Sequence, residues 1–155
     1  MKTKELPVLL GNYLKGDRGA IEEMRIELHL IWKGTMDLKR KINTSSLPLE
    51  YKYYYFIIIQ IEEIADHYEY LLRDLEKLKK LPKKLIPYNN KIDKLFNDVY
   101  NNFYKFSVNG FLDLSKDIIW KKFETEDHPL LMFHLRTVSA KLTNIAKYTI
   151  GIKLK

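Results

Sequence analysis

The fold is decided by residues 54–78, which read YYFIIIQIEEIADHYEYLLRDLEKL. Apolar residues recur there in alternating steps of three and four, the spacing that keeps side chains on one face of a helix. The positions that carry this pattern are Tyr54, Ile57, Ile61, Ile64, Tyr68, Leu71, Leu75 and Leu78. A flanking apolar row follows at Tyr51, Ile58, Ala65 and Leu72. The stretch predicts a helix of about 30 residues, ended by Pro82, that packs against more than one neighbour.

The same spacing occurs twice more in the chain. An upstream series predicts a helix over residues 18–43, with Asp17 as its N-cap. Its apolar positions are Ile21, Met24, Leu28, Ile31, Thr35, Leu38 and Ile42. A downstream series predicts a last helix, for which Asp127 and Pro129 are start signals. Its positions are Leu131, Leu135, Val138, Leu142, Ile145, Thr149 and Ile152.

The rest of the chain predicts shorter helices. Residues 6–14 form a short one that Gly16 ends. After Pro87 comes a longer helix, then a bend at Asn109-Gly110 and a shorter helix over about 111–125. The longer helix carries Ile92, Phe96, Val99, Phe103 and Phe106, and the shorter one carries Leu114, Ile118 and Ile119. The predicted fold class is therefore an all-α, up-down helical bundle.

An internal repeat is indicated by a shift of 81 positions, which places the helix of residues 54–78 on the last helix. The shift pairs Tyr54 with Leu135, Ile57 with Val138, Ile61 with Leu142, Ile64 with Ile145 and Ala65 with Ala146. The shared Ile-Ala carries more weight than the apolar spacing, because any two such helices can be superposed on their stripes. We expect one domain over 1–155, with one unit at about 3–81 and a second at about 83–155.

Composition narrows the function. The 155 residues can bury a core, and the absence of cysteine excludes disulfides, thiolate nucleophiles and cysteine-ligated metal sites. The net charge of +7 favours an acidic partner, although a solvated lysine surface gives the same count. Lysines are densest around Pro82, at Lys77, Lys79, Lys80, Lys83 and Lys84. No apolar run approaches a membrane span, so we expect a cytoplasmic, soluble chain.

A cluster of carboxylates is the main candidate for a metal site. Glu62 and Asp66 are four residues apart and point the same way from one helix, with Glu63 beside them. Together they could bind a hard cation if another helix supplied further ligands. The alternative is a solvated face opposite the apolar stripe.

The sequence contains no recognisable catalytic motif. The four histidines, His29, His67, His128 and His134, include no pair close in sequence, and the glycines form no phosphate loop. Arg25 and His29 come nearest to the Arg/His motif of HEPN-type helical ribonucleases, but their spacing is too short for it. We expect no enzyme.

At Ile61-Glu62-Glu63-Ile64-Ala65-Asp66-His67 the sequence resembles the signature of PhoU domains, and Gly16-Asp17 stands where that family tends to carry Gly-Asp. Around His134-Leu135-Arg136 and residues 144–148 it resembles the second signature of AbrB–PhoU fusion proteins. The position of the family's Arg is taken here by Glu63.

The resemblance implies two similar three-helix units and a regulatory role in phosphate uptake or related signalling. It also implies a divalent, iron or zinc ion at Glu62 and Asp66, whose counterparts in the second unit are Thr143 and Lys147. The first helix is shortened relative to the family, which leaves apolar surface uncovered and predicts self-association or a protein partner. No AbrB-like strand pattern occurs, so the expected action is through that partner. The alternative is a basic, helical nucleic-acid-binding regulator.

Overall fold

The protein is described by a computed structural model that covers residues 2–44, 48, 51–117 and 128–154. In these residues every regular element is helical, which confirms the all-α class. The α-helices are α1 (Leu6–Lys15), α2 (Gly19–Thr44), α3 (Tyr51–Glu76), α4 (Ile86–Tyr104), α5 (Val108–Asp117) and α6 (Pro129–Lys153), with 3-10 turns at Lys2–Glu5 and Lys83–Leu85. Within these ranges no helix combines the length and apolarity needed to cross a bilayer.

Predicted boundary signals lie at three helix ends. Gly16 has a φ of 111°, a left-handed conformation that glycine adopts without strain, and it closes α1. The Asp17 Oδ1 accepts a hydrogen bond from the Gly19 amide at 3.0 Å, so Asp17 acts as the expected N-cap of α2. Pro129 is the first residue of α6. Asp127 lies outside the described residues.

Two helices end earlier than predicted. The α3 helix has 26 residues and stops at Glu76, so Leu78 lies beyond it, in the segment that leads to Pro82. The α4 helix stops at Tyr104, so Phe106 lies in the connection and the break precedes Asn109-Gly110.

Side-chain capping explains the early break. Asn102 Oδ1 accepts a hydrogen bond from the Ser107 amide at 3.3 Å, and Ser107 Oγ accepts one from the Gly110 amide at 3.0 Å. Ser107 therefore caps the start of α5, and Gly110 belongs to the first turn of that helix. The predicted residues 118–125 of this helix, including Ile118 and Ile119, lie outside the described residues.

The α3 and α6 helices lie antiparallel at the centre of the bundle and make its most extensive helix–helix contact. Their register is fixed by hydrogen-bonded pairs, Gln60 with Asn144 at 3.0 Å and Glu63 with Lys141 at 2.8 Å. Beside this pair, α2 packs on α3 and α4 packs on α6, while α1 packs mainly against α2 and α4. The α3–α6 pair is therefore the scaffold that positions the candidate sites.

The burial of the paired positions agrees with the 81-residue shift in part. Both members are buried in three pairs: Ile57 with Val138, Ile64 with Ile145, and Ala65 with Ala146. In the other two, Tyr54 is 38% exposed and Ile61 is partly buried, whereas their counterparts Leu135 and Leu142 are fully buried. The internal duplication and its two units remain a prediction.

At one end of the bundle, residues of the predicted apolar stripes of α2 and α3 are exposed or only partly buried. Leu38 is 48% exposed and Ile42 is partly buried, although the spacing predicts both as core positions of α2. Tyr54 and Ile61 on α3 behave in the same way. The reason is the length of α1, whose 10 residues span only about 15 Å and cannot cover the whole of α2. We call Leu38, Tyr54 and Ile61 the uncovered stripe.

Candidate functional site

The three carboxylates of the predicted metal cluster face two different helices. Lys39 Nζ of α2 lies 2.5 Å from Glu62 Oε2, and the Trp32 indole, also on α2, donates to Asp66 Oδ1 at 3.2 Å. Glu63 instead faces α6, where it pairs with Lys141 at 2.8 Å. The face that carries the three carboxylates is therefore only partly solvated: the side chains of Glu62 and Glu63 are 21% and 39% exposed, and all three residues join α3 to its neighbours.

These surroundings change the proton affinity of one carboxylate. Burial raises the pKa of Asp66 above its ordinary value; the hydrogen bond from Trp32 opposes that rise, and the nearby charges of Glu62 and Glu69 add to it. A cation at Asp66 would compete with the hydrogen bond that this carboxylate already accepts from the Trp32 indole.

The carboxylate oxygens of Glu62, Glu63 and Asp66 already have ion-pair or hydrogen-bond partners, which a metal ion would have to replace. In the described part of the chain, no three His, Asp or Glu side chains converge as a ligand set. A metal at Glu62 and Asp66 would have to displace Lys39 and Trp32 and recruit further ligands. The residues therefore do not form the ligand set that the resemblance implies, and ion binding at Glu62 and Asp66 stays a prediction.

A cleft of about 420 Å³ lies between α2 and α3, next to Asp66. Its floor is apolar, formed by Leu28, Ala65 and Leu72. Its walls carry Arg25, His29, Trp32, Asp66, Glu69, Arg73 and Glu76.

The charges in the cleft are largely paired with one another. Arg25 bonds Glu76 at 2.5 Å, and Arg73 pairs with Glu69 one turn away on the same helix. Arg25 is therefore turned toward α3 by a carboxylate, an arrangement that does not favour its use as the phosphate-binding arginine of a ribonuclease.

A histidine pair joins α3 to α6 on the opposite side of α3. His67 Nδ1 lies 3.0 Å from His134 Nδ1, and His134 Nε2 lies 3.5 Å from Asp74 Oδ2. Lys77 holds the other Asp74 oxygen at 2.7 Å. His134 is only 6% exposed, so this polar contact lies inside the helix interface.

The contact requires that one of the facing nitrogens carry no proton, because two N–H groups would point at each other. Since Asp74 accepts the Nε2 proton of His134, we assign the His134 Nδ1 as the acceptor and the His67 Nδ1 as the donor. Burial lowers the pKa of both histidines, and for His67 the positive charges of His134 and Lys141 add to the effect. Asp74 opposes this fall in the pKa of His134, while burial favours the neutral imidazole in both residues.

Sequence reasoning missed this pair because the two histidines are 67 residues apart. A usable signal was the antiparallel arrangement of the two long helices. Once Gln60 faces Asn144 and Glu63 faces Lys141, His67 comes opposite Thr137, one turn from His134.

Comparisons with protein-family models, curated proteins and solved structures gave no match for this chain.

Proposed function

We propose that this chain is a non-catalytic regulatory protein that acts through protein–protein contacts in phosphate uptake or related signalling. The proposal of protein–protein contacts rests on the uncovered stripe. The proposed role in phosphate uptake rests on the resemblance of residues 61–67 to the PhoU signature. A cytoplasmic location fits both, because a chain without cysteine suits a reducing compartment.

The uncovered stripe has the chemistry of a contact surface. Its residues continue the apolar pattern of α2 and α3 beyond the reach of α1, and no helix among the described residues covers them fully. Tyr54 also has Tyr51 beside it, with ring centroids 6.0 Å apart, which adds half-exposed aromatic surface of the kind enriched at interfaces. Exposed apolar surface favours association.

A second copy of the chain is the first partner to test. We expect the wild-type protein to self-associate in sedimentation velocity runs. The double variant Leu38→Glu/Tyr54→Glu should raise the dimer dissociation constant by about 100-fold or more, because two unpaired carboxylates would be buried in the contact.

The matched control is Ile26→Glu, which places a charge on an α2 residue that is 60% exposed and outside the stripe. It should leave association unchanged. A wild-type chain that sediments as a monomer at the highest attainable concentration would contradict self-association and leave a different protein as the partner.

The alternative is a nucleic-acid-binding regulator, and the lysines around Pro82 favour it. Lys79, Lys80 and Lys83 are exposed in the connection between α3 and α4, where a phosphate backbone could reach them. In the same sedimentation runs, a labelled duplex that co-sediments at near-physiological salt and is released as salt rises would support this function. Free duplex throughout would exclude it.

A further inference from the structure

We infer that the His67–His134 pair is a binding site for one divalent late transition-metal ion, held between α3 and α6. This inference is independent of the proposed regulatory role and of the carboxylates Glu62 and Asp66.

The geometry of the two nitrogens suits a shared ion. Metal–imidazole bonds are about 2.0–2.1 Å long. An ion placed at that distance from both Nδ1 atoms, which are 3.0 Å apart, subtends an N–metal–N angle of about 90–97°. That angle matches two adjacent positions of a square-planar or octahedral site and is narrower than a tetrahedral angle. Cu²⁺ and Ni²⁺, which accept neighbouring ligands at about 90°, are therefore the ions to test first.

The second nitrogen of His134 has the partner that metal-bound histidines use. It faces the Asp74 carboxylate at 3.5 Å, and Lys77 fixes that carboxylate. A carboxylate behind a histidine selects the tautomer whose other nitrogen has a free lone pair and makes that nitrogen more basic. Asp74 thus acts as a positioning residue: it leaves the His134 Nδ1 with a free lone pair aimed at His67. The His67 Nδ1, which donates to His134 in the metal-free protein, must first pass its proton to Nε2 of the same ring, so that the ion replaces the hydrogen bond between the two nitrogens.

The formal charges around the pair sum to zero, although Lys141 disfavours a positive charge at His67. The charged and titratable groups that face the pair come from α3, from α6 and from the turn after α3, and they are Glu63, Tyr70, Asp74, Lys77 and Lys141. Glu63 pairs with Lys141 and Asp74 pairs with Lys77, so the formal charges cancel. The rings of Tyr70 and Phe133 flank the imidazoles, and these two residues are 45% and 55% exposed. Water would have to supply the remaining ligands from their side of the pair.

The direct test is calorimetric titration of untagged protein with Ni²⁺ at pH 7.5. We expect one ion per chain and, at an ion concentration about 100-fold above its dissociation constant, a rise of about 5–10 °C in Tm. His67→Gln and His134→Gln should each abolish binding. Asp74→Asn should weaken it by about 10-fold or more, because the positioning carboxylate is lost.

Binding should also fall as the pH is lowered from 7.5 to 5.5. Protons compete for the same nitrogens.

Controls separate this site from others. His29→Gln and Glu62→Ala/Asp66→Ala should bind Ni²⁺ as the wild type does. If a histidine variant fails to fold, the wild type still gives an answer, because Ni²⁺ should selectively broaden the NMR signals of His67 and His134. Absence of binding, retention of binding in both histidine variants, or its loss only in Glu62→Ala/Asp66→Ala would each overturn the inference.

Discussion

Replacing Ile64 by alanine should lower the free energy of unfolding by about 2–5 kcal/mol, and Ile145→Ala should lower it by a similar amount. Ile64 is fully buried and Ile145 is 2% exposed, both in the contact between α3 and α6. Each truncation removes buried methyl groups and leaves a cavity that the two central helices cannot close. Urea unfolding followed by circular dichroism measures the change.

The control for this pair is Ile26→Ala, at an α2 position that is 60% exposed. The same atoms are removed there, but little apolar area leaves the core, so the change should stay within about 0.5 kcal/mol. Equal effects at Ile26 and Ile64 would contradict the central position of the α3–α6 pair. A large effect at Ile64 with none at Ile145 would count against the equivalence of the two positions under the 81-residue shift.

Two glycines inside helices should respond to leucine in opposite directions. Gly11→Leu should lower the free energy of unfolding by about 1–3 kcal/mol, because a side chain there meets α4. A Cβ at Gly11 would already lie 3.2 Å from Asn89 Nδ2, and that buried amide donates to the Pro7 carbonyl at 2.6 Å. Asn89 cannot move aside without losing this bond.

Gly34→Leu is the matched variant in α2. A Cβ at Gly34 meets nothing within 4 Å, and the position is exposed. The substitution should raise the free energy of unfolding by about 0.5–1 kcal/mol, because leucine is the better helix former. Thermal and urea unfolding of both variants measure whether the free energy of unfolding falls for Gly11→Leu and rises for Gly34→Leu. Stabilisation by both substitutions would show that α1 does not pack closely on α4.

Helix positions were predictable because they depend on local chemistry. The apolar spacing placed α2 and α6 within a few residues, and Gly16 and Asp17 marked the junction between α1 and α2. The errors arose where side chains act across a turn, as Ser107 does when it starts α5 ahead of Asn109. The exposure of Leu38 was also invisible to periodicity, since it depends on how far another helix reaches.

Candidate sites were less predictable than helices because they depend on register between helices. The spacing of Glu62 and Asp66 correctly placed both on one side of α3, but it could not reveal Lys39 and Trp32 opposite them. The contact of His67 with His134 needed the antiparallel register of α3 and α6.

The regulatory role can be tested most directly by measuring phosphate uptake in host cells that lack this chain. We predict that its loss changes the uptake rate when phosphate is plentiful and that the wild-type gene restores the normal rate. The Leu38→Glu/Tyr54→Glu variant, expressed at the same level, should fail to restore it, whereas Ile26→Glu should succeed. An uptake rate that is unchanged by loss of the chain, at both high and low phosphate, would contradict the proposed function.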